Sequence, residues 1–261
     1  MDLGLEGKVA LVAASSRGLG KASALALARE GARVTICART QADLDAAAEE
    51  IRSETKADVL AVAADLTTAG GITSVVAATI ERFGGVDVLV NNSGGPAPGG
   101  FWDHTADDDW LNAFQVITLN FVRFVREVVP HMREKKWGRI VGIQSSSVKE
   151  PVSNLDLSNG IRPGIAGLTK ALMPDLAKDG ITINLVLPGI FLTDRVRHRM
   201  TGTPGVDDQT IIQHIAATIP AGRLGDPNEI GNLVAFLASE RGAYITGAVY
   251  QIDGGIIHSN V

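Results

Sequence analysis

Cysteine is almost missing: Cys37 is the only one in 261 residues. A lone thiol excludes any disulfide within the chain and fits a reducing cytoplasm. Its place in an apolar run points to a buried, inert group. Tyrosine is nearly as scarce, and both copies, Tyr244 and Tyr250, come late. No apolar run approaches the roughly 18 residues of a membrane span. The first residues carry Asp2 and Glu6 instead of an apolar stretch, so no secretory leader is expected. Basic residues are in deficit, 24 against 29 acidic, and they are scattered. Nucleic acid and anionic membranes are therefore not expected partners. The five histidines show no metal-ligand spacing, and no G-x-S-x-G is present. No metal site and no serine-hydrolase elbow are expected. Repeats, linkers and low-complexity tracts are also absent.

What is present is an ordinary globular composition, 45% hydrophobic and 20% charged, read as one domain over 1–261. Short runs rich in Val and Ile fall at Val9–Ala13, Arg33–Ala38, Val59–Ala64, Val86–Val90, Arg139–Ile143, Ile181–Leu187 and Ala248–Ile252. Apolar on both faces, they read as strands of a covered parallel sheet. Helical patterns lie between them, at about 18–30, 41–54, 70–83, 106–134, 160–178 and 227–239. This alternation predicts an α/β fold, a doubly wound Rossmann-type sheet of about seven parallel strands with helices on both faces. Thr105 with Asp108 reads as a capping box, and Asp107, Asp108 and Asp109 suit a helix's first turn better than a metal site. Thr201–Asp208 reads as a surface loop.

The first strand runs into Ala13-Ala14-Ser15-Ser16-Arg17-Gly18-Leu19-Gly20 and then a helix. Small residues there let backbone approach a pyrophosphate at the helix N-terminus. Gly18 and Gly20 would equally allow tight helix–strand packing, so the turn alone leaves both readings open. Alanine at 14 predicts a position that does not demand positive φ.

Further motifs follow later strands in order: Asp65-Leu66, Asn91-Asn92-Ser93-Gly94, Pro188-Gly189-Ile190-Phe191-Leu192-Thr193 and Asp253-Gly254-Gly255. With the first turn they resemble the short-chain dehydrogenase/reductase family over about residues 5–255. The resemblance implies a cofactor turn of Ala14, Ser16, Arg17, Gly18, Leu19 and Gly20. It implies adenine contacts from Asp65 and Leu66, and a cofactor-side element in Asn92, Ser93 and Gly94. Pro188, Gly189, Ile190 and Thr193 would hold the nicotinamide carboxamide and phosphates. An acid at the end of the second strand would bind a ribose 2′-hydroxyl. This chain has Ala38-Arg39 there, with Arg17 on the adjoining loop. Two guanidiniums suit a 2′-phosphate, so NADP(H) is the expected cofactor.

The centre departs from the family. Its Ser…Tyr-x-x-x-Lys spacing is met by Ser145, Ser158 and Arg162, with Ser146 and Ser147 as neighbours that would replace Ser145 if the strand ended later. Gly167 and Lys170 fix the register. The family's catalytic Asn falls on Ile117; Asn120, one turn on, reads equally as its substitute or as a helix contact. Pro163 disfavours α conformation at Arg162 and predicts a helix that starts near 160–163 or is distorted. A helical segment would put Ser158 and Arg162 on one face. Arginine stays protonated, so Arg162 cannot cycle as a general acid but can bind ribose hydroxyls and stabilise an oxyanion. Ser158 is expected to be a minor polar contact or a water ligand.

Three readings stand: an NADP(H)-dependent reductase of a 3-oxoacyl-like or other small ketone, a reductase of a conjugated C=C or C=N bond, and a catalytically silent cofactor-binding protein. The family implies a small-molecule substrate and a homotetramer or homodimer in the cytoplasm. The nearest broad resemblance is to 3-oxoacyl-carrier-protein reductases. Arg195, Arg197, His198 and Arg199 would meet an anionic substrate or form a solvated helix face.

Overall fold

The computed structural model describes residues 1–194, 196 and 208–259. Each apolar run becomes a strand: β1 (Val9–Ala13), β2 (Arg33–Ala38), β3 (Val59–Ala63), β4 (Val88–Asn92), β5 (Gly138–Ile143), β6 (Ile181–Pro188) and β7 (Val249–Ile252). All six pairings are parallel, in the order β3-β2-β1-β4-β5-β6-β7. The helices are α1 (Gly18–Arg29), α2 (Gln41–Thr55), α3 (Ala69–Phe83), α4 (Asp107–Phe114), α5 (Asn120–Lys135), α6 (Asp156–Ile161), α7 (Pro163–Ala177), α8 (Asp208–Ala217) and α9 (Pro227–Ala238).

The strands are apolar on both faces because helices cover both. Ala10 and Val12 of β1 join a core with Leu27, Leu44 and Val234, from α1, α2 and α9. Leu11 and Ala13, pointing the other way, join Ile72, Phe121 and Ile165, from α3, α5 and α7. The chain winds outward from β1 to β3, then crosses back to β4 beside β1. That reversal opens a crevice at the strands' C-terminal ends, where such sheets bind ligands.

Several expectations are corrected. The fourth strand runs over Val88–Asn92, two residues later than read. Asn91 and Asn92 stay in the ladder opposite Gly142 and Ile143 because their amides find partners. The single 106–134 helix is α4, a π-helical turn at Gln115–Leu119 and α5. Its N-cap is Ala106 with no side-chain cap, so the Thr105–Asp108 capping box does not form. Asp107, Asp108 and Asp109 do occupy the first turn. The 160–178 helix begins earlier, at Asp156, and breaks at Pro163. Proline fits there because it is the first residue of α7, where no N–H bond is needed. Arg162 keeps α geometry (φ −64°, ψ −32°).

Helix α8 was not anticipated. Of the loop read at Thr201–Asp208, residues 201–207 lie outside the described residues, as do Arg195, Arg197, His198 and Arg199. α9 opens on a capping box in which Asp226 accepts from Asn228 N and Glu229 accepts from Asp226 N, each at 2.8 Å. Arg223 holds the same Glu229 carboxylate at 2.7 and 2.8 Å. No described helix is long and apolar enough to cross a membrane.

Candidate active site

β1 delivers the chain into a turn with strained backbone. Ala14 has φ 48°, a left-handed conformation that costs alanine roughly 1–2 kcal/mol. The expectation that alanine marks a position free of positive φ is therefore overturned. The surroundings impose the conformation. Ser15 Oγ donates to Val12 O at 2.6 Å and accepts from Cys37 N at 3.0 Å, tying the turn to β1 and β2. Asn92 Nδ2 holds Ala14 O at 3.1 Å. Cys37 itself is fully buried, and burial pushes its thiol up to about 12.

Gly18 (φ 58°) also needs its missing Cβ, and α1 starts there without a side-chain cap. A methyl on Gly20 would stand 2.4 Å from Ala14 O and 2.9 Å from Asn92 Nδ2. The Thr193 methyl lies 3.6 Å from where a Cβ on Gly18 would be, so the loop after β6 reaches the turn. Bare backbone and uncapped N–H groups at one helix start fit a pyrophosphate. Ser16 is half-buried in this turn, and Leu19 packs under it against the α1–α2–α9 core. Ser93 and Gly94 follow β4, and a Cβ on Gly94 would meet nothing within 4 Å. Pro188 ends β6, Gly189 packs against Asp253 of the last loop, and Ile190 O accepts from Gly225 N at 2.9 Å.

Arg17 and Arg39 are exposed on the loops after β1 and β2. Asp65 follows β3 and accepts from Thr67 N and Oγ1 at 3.0 and 2.8 Å. Those bonds, and the Arg39 charge less strongly, hold its carboxyl below the usual range. Leu66 O accepts from Asn120 Nδ2 at 2.9 Å, and Asn91 Nδ2 donates to Asn120 Oδ1 at 2.8 Å. The buried Asn120 amide braces β4 against the loop after β3. Ile117 is buried in the π-helical turn.

The serine-rich segment follows β5. Ser145 is half-buried and caps the 3-10 turn Ser146–Val148, accepting from Ser147 N at 3.2 Å. Ser158 (4% exposed) and Arg162 (5% exposed) share a face of α6 and its end, as their spacing predicts. Arg162 Nε donates to Ser158 Oγ at 3.1 Å, and Ser158 Oγ lies 2.9 Å from Ser147 Oγ. Ser158 thus joins the turn to the guanidinium. Arg162 Nη1 donates to Gln144 Oε1 at 2.9 Å. Sequence reasoning missed Gln144. Its signal was a polar residue directly after an apolar strand and before three serines. Among the described residues, no group of three His, Cys, Asp or Glu is placed to hold a metal.

The phosphate-type turn and the Ser/Arg cluster sit at the same end of one doubly wound sheet. Residues 13–257 match the family model described as enoyl-(acyl carrier protein) reductase. The chain belongs to the short-chain dehydrogenase/reductase family. It is 35% identical over 256 residues to the 3-oxoacyl-(acyl-carrier-protein) reductase FabG of Vibrio cholerae, across 97% of this chain and 99% of that protein. To FabG of Escherichia coli it is 36% identical, with the same coverage. Its fold matches the L-sorbose reductase of Gluconobacter frateurii, solved with NADPH and L-sorbose, at TM-score 0.93 and 32% identity, over 99% of this chain and 100% of that one. It matches YwfH, an NADPH-dependent reductase of bacilysin biosynthesis, at TM-score 0.91 and 30% identity, over 97% and 99%.

Proposed function

We propose that this member of the family is an NADP(H)-dependent reductase of a small carbonyl compound, 3-oxoacyl-like or another small ketone, working with Ser158 and Arg162 in place of the family's Tyr and Lys. The observation that carries the reading is the turn at Gly20, where a single methyl would strike Ala14 O. Backbone that bare suits the close approach of a dinucleotide. Ala14, Ser16, Gly18, Leu19 and Gly20 would cradle its pyrophosphate. Arg17 and Arg39 would grip a 2′-phosphate through charge-assisted bonds. Asp65 and Leu66 would border the adenine. Asn92, Ser93, Gly94, Pro188, Gly189, Ile190 and Thr193 would line the nicotinamide half. When bound, NADPH supplies hydride.

The chain's own residues do the rest. Arg162 is held on two edges, by Ser158 and Gln144, so its planar fork is presented in one orientation. From there it anchors ribose hydroxyls and, with Ser145, stabilises negative charge growing on the acceptor. Neither arginine nor serine is an acid near neutral pH, so the proton comes from water or from the substrate. The same feature favours a second reading, reduction of a conjugated C=C or C=N bond, which needs no strong acid at a carbonyl. The assembly is a homotetramer or homodimer; Leu111 and Phe114 leave an apolar face of α4 exposed.

The test is a substrate panel of ketones, enones and imines, followed by NADPH absorbance. Turnover of ketones supports the first reading, and turnover of enones or imines alone supports the second. Tight NADPH binding with no acceptor reduced makes the chain a silent cofactor-binding protein.

A further inference from the structure

We propose that Ser147 is a positioning residue for Ser158: its hydroxyl donates to Ser158 Oγ and so leaves the Ser158 proton free for the bound acceptor. This rests on the role given to Ser158 and Arg162 above. Ser147 is 3% exposed, inside the 3-10 turn that follows β5, and its Oγ lies 2.9 Å from Ser158 Oγ. The two residues are 11 apart in the chain and on different elements. Each is nevertheless held by its own backbone. On the turn's side, Ser147 N donates to Ser145 Oγ at 3.2 Å, and Val148 N donates to Ser145 O at 3.1 Å. On the helix's side, Arg162 N donates to Ser158 O at 3.0 Å. Between them Asn159 clamps Val152, accepting from its N–H at 2.9 Å and donating to its carbonyl at 2.8 Å. The approach of the two hydroxyls is thus fixed from both sides.

The direction of the bond follows from counting protons. The two hydroxyls carry two protons, and the contact between them uses one. Ser158 Oγ already accepts from Arg162 Nε at 3.1 Å. Among the described residues, Ser158 Oγ is the one partner of Ser147 Oγ. If Ser158 donated inward, the Ser147 proton would stay buried without an acceptor, with or without a ligand. An unmade buried donor costs more than a typical bond contributes. If Ser147 donates, the proton left over is that of Ser158. Ser158 shares its helix face with Arg162, so it is the member placed to meet the oxygen that Arg162 meets. Only this arrangement matches both protons once an acceptor binds. It also strengthens the donor. An oxygen that accepts twice, once from a guanidinium, makes a stronger bond with its own hydrogen.

Ser147→Ala, Ser158→Ala and the double variant test this by steady-state kinetics on the best acceptor of the panel, with thermal melts alongside. Ser147→Ala is expected to lower kcat about fivefold, the scale of one neutral hydrogen bond, and to leave the KM for NADPH within about twofold. A purely structural tie would instead move the NADPH KM and the melting temperature while kcat held. Because Ser147 acts through Ser158, the double variant should fall no further than Ser158→Ala alone.

Losses that multiply in the double variant overturn the inference, as does a Ser147→Ala enzyme with full kcat. A loss confined to the NADPH KM overturns it too, since Ser147 would then only support the cofactor. If Ser147→Ala fails to fold, Ser147→Cys decides: a thiol is similar in shape but a weak donor, so kcat should fall, and full kcat would overturn the inference. In each of these cases the unmutated enzyme still reduces its acceptor, and the proposed function stands. A panel in which no acceptor is reduced overturns the proposed function, and this inference with it.

Discussion

Ser147 Oγ and Ser158 Oγ lie 2.9 Å apart, and Arg162 Nε reaches the second of them at 3.1 Å. Three buried side chains therefore act as one unit, with the arginine as its only cation. Arg162→Ala should lower kcat/KM by about 100-fold or more, the scale of a lost oxyanion donor. Arg162→Lys should fall between, since a lysine cannot meet Ser158 and Gln144 at once. Ser158→Ala breaks two neutral or half-charged bonds and should cost about tenfold, at roughly 1 kcal/mol or slightly more in total. Steady-state kinetics on the best substrate of the panel checks the order. Full activity in Arg162→Ala would move the chemistry elsewhere.

The strained turn gives two opposite substitutions. Ala14→Gly relieves the left-handed conformation but loosens the unfolded chain, for a net gain of roughly 0.5–1 kcal/mol. The urea midpoint should rise with an unchanged slope. Gly20→Ala drives a methyl into Ala14 O and should abolish NADPH binding while lowering the midpoint. Normal binding by Gly20→Ala would refute the cradle.

Arg39 should decide between cofactors. Arg39→Ala is expected to weaken NADPH by about 1.5–3 kcal/mol, the range of a hydrogen bond to a charged group, and to leave NADH unchanged. Calorimetric titration of both cofactors reads this directly. Equal affinities for the two in the unmutated protein would remove the 2′-phosphate assignment.

Assembly should depend on α4. Leu111 and Phe114 are 63% and 44% exposed, which leaves apolar surface on α4 open to solvent. Leu111→Glu with Phe114→Glu should shift the protein toward a 27.4 kDa species in light scattering. A single 27.4 kDa species before mutation would exclude the oligomer.

Acid stability has a local contributor. Arg223, and then the Asp226 N–H, lower the Glu229 carboxyl to about 2. Because the folded value lies below the unfolded one, this contribution is whole above roughly pH 4.5 and declines as pH falls toward 2. Glu229→Gln should therefore flatten that part of the stability–pH curve while leaving the curve's shape near neutrality intact. An unchanged acid limb would show that the exposed pair is screened by solvent.

The sheet was legible because both of its faces are covered, which leaves runs such as Val9–Ala13 uniformly apolar. β4 was misread at its end because Asn91 and Asn92 look like loop residues until Asn120 and Ala14 O are seen to satisfy them. The break at Pro163 was anticipated, but not that α6 would begin at Asp156 and carry Ser158 ahead of it. Ala14 misled because propensity speaks for a residue alone, whereas Ser15, Cys37 and Asn92 act on it together. Gln144 was passed over for a related reason: its partner is 18 residues away and on another element. The spacing of Ser158 and Arg162 gave their contact directly, because one helical turn brings them together.

Cys37 offers something practical. A thiol sealed in the sheet, with its ionisation pushed up to about 12, stays silent toward maleimides near neutral pH. The chain thus comes with no reactive background. A cysteine introduced at fully exposed Tyr244, or at Trp102 on the loop after β4, would carry a fluorophore or spin label at one known place. Distances reported from such probes would come from single sites, without first deleting a native residue from the core.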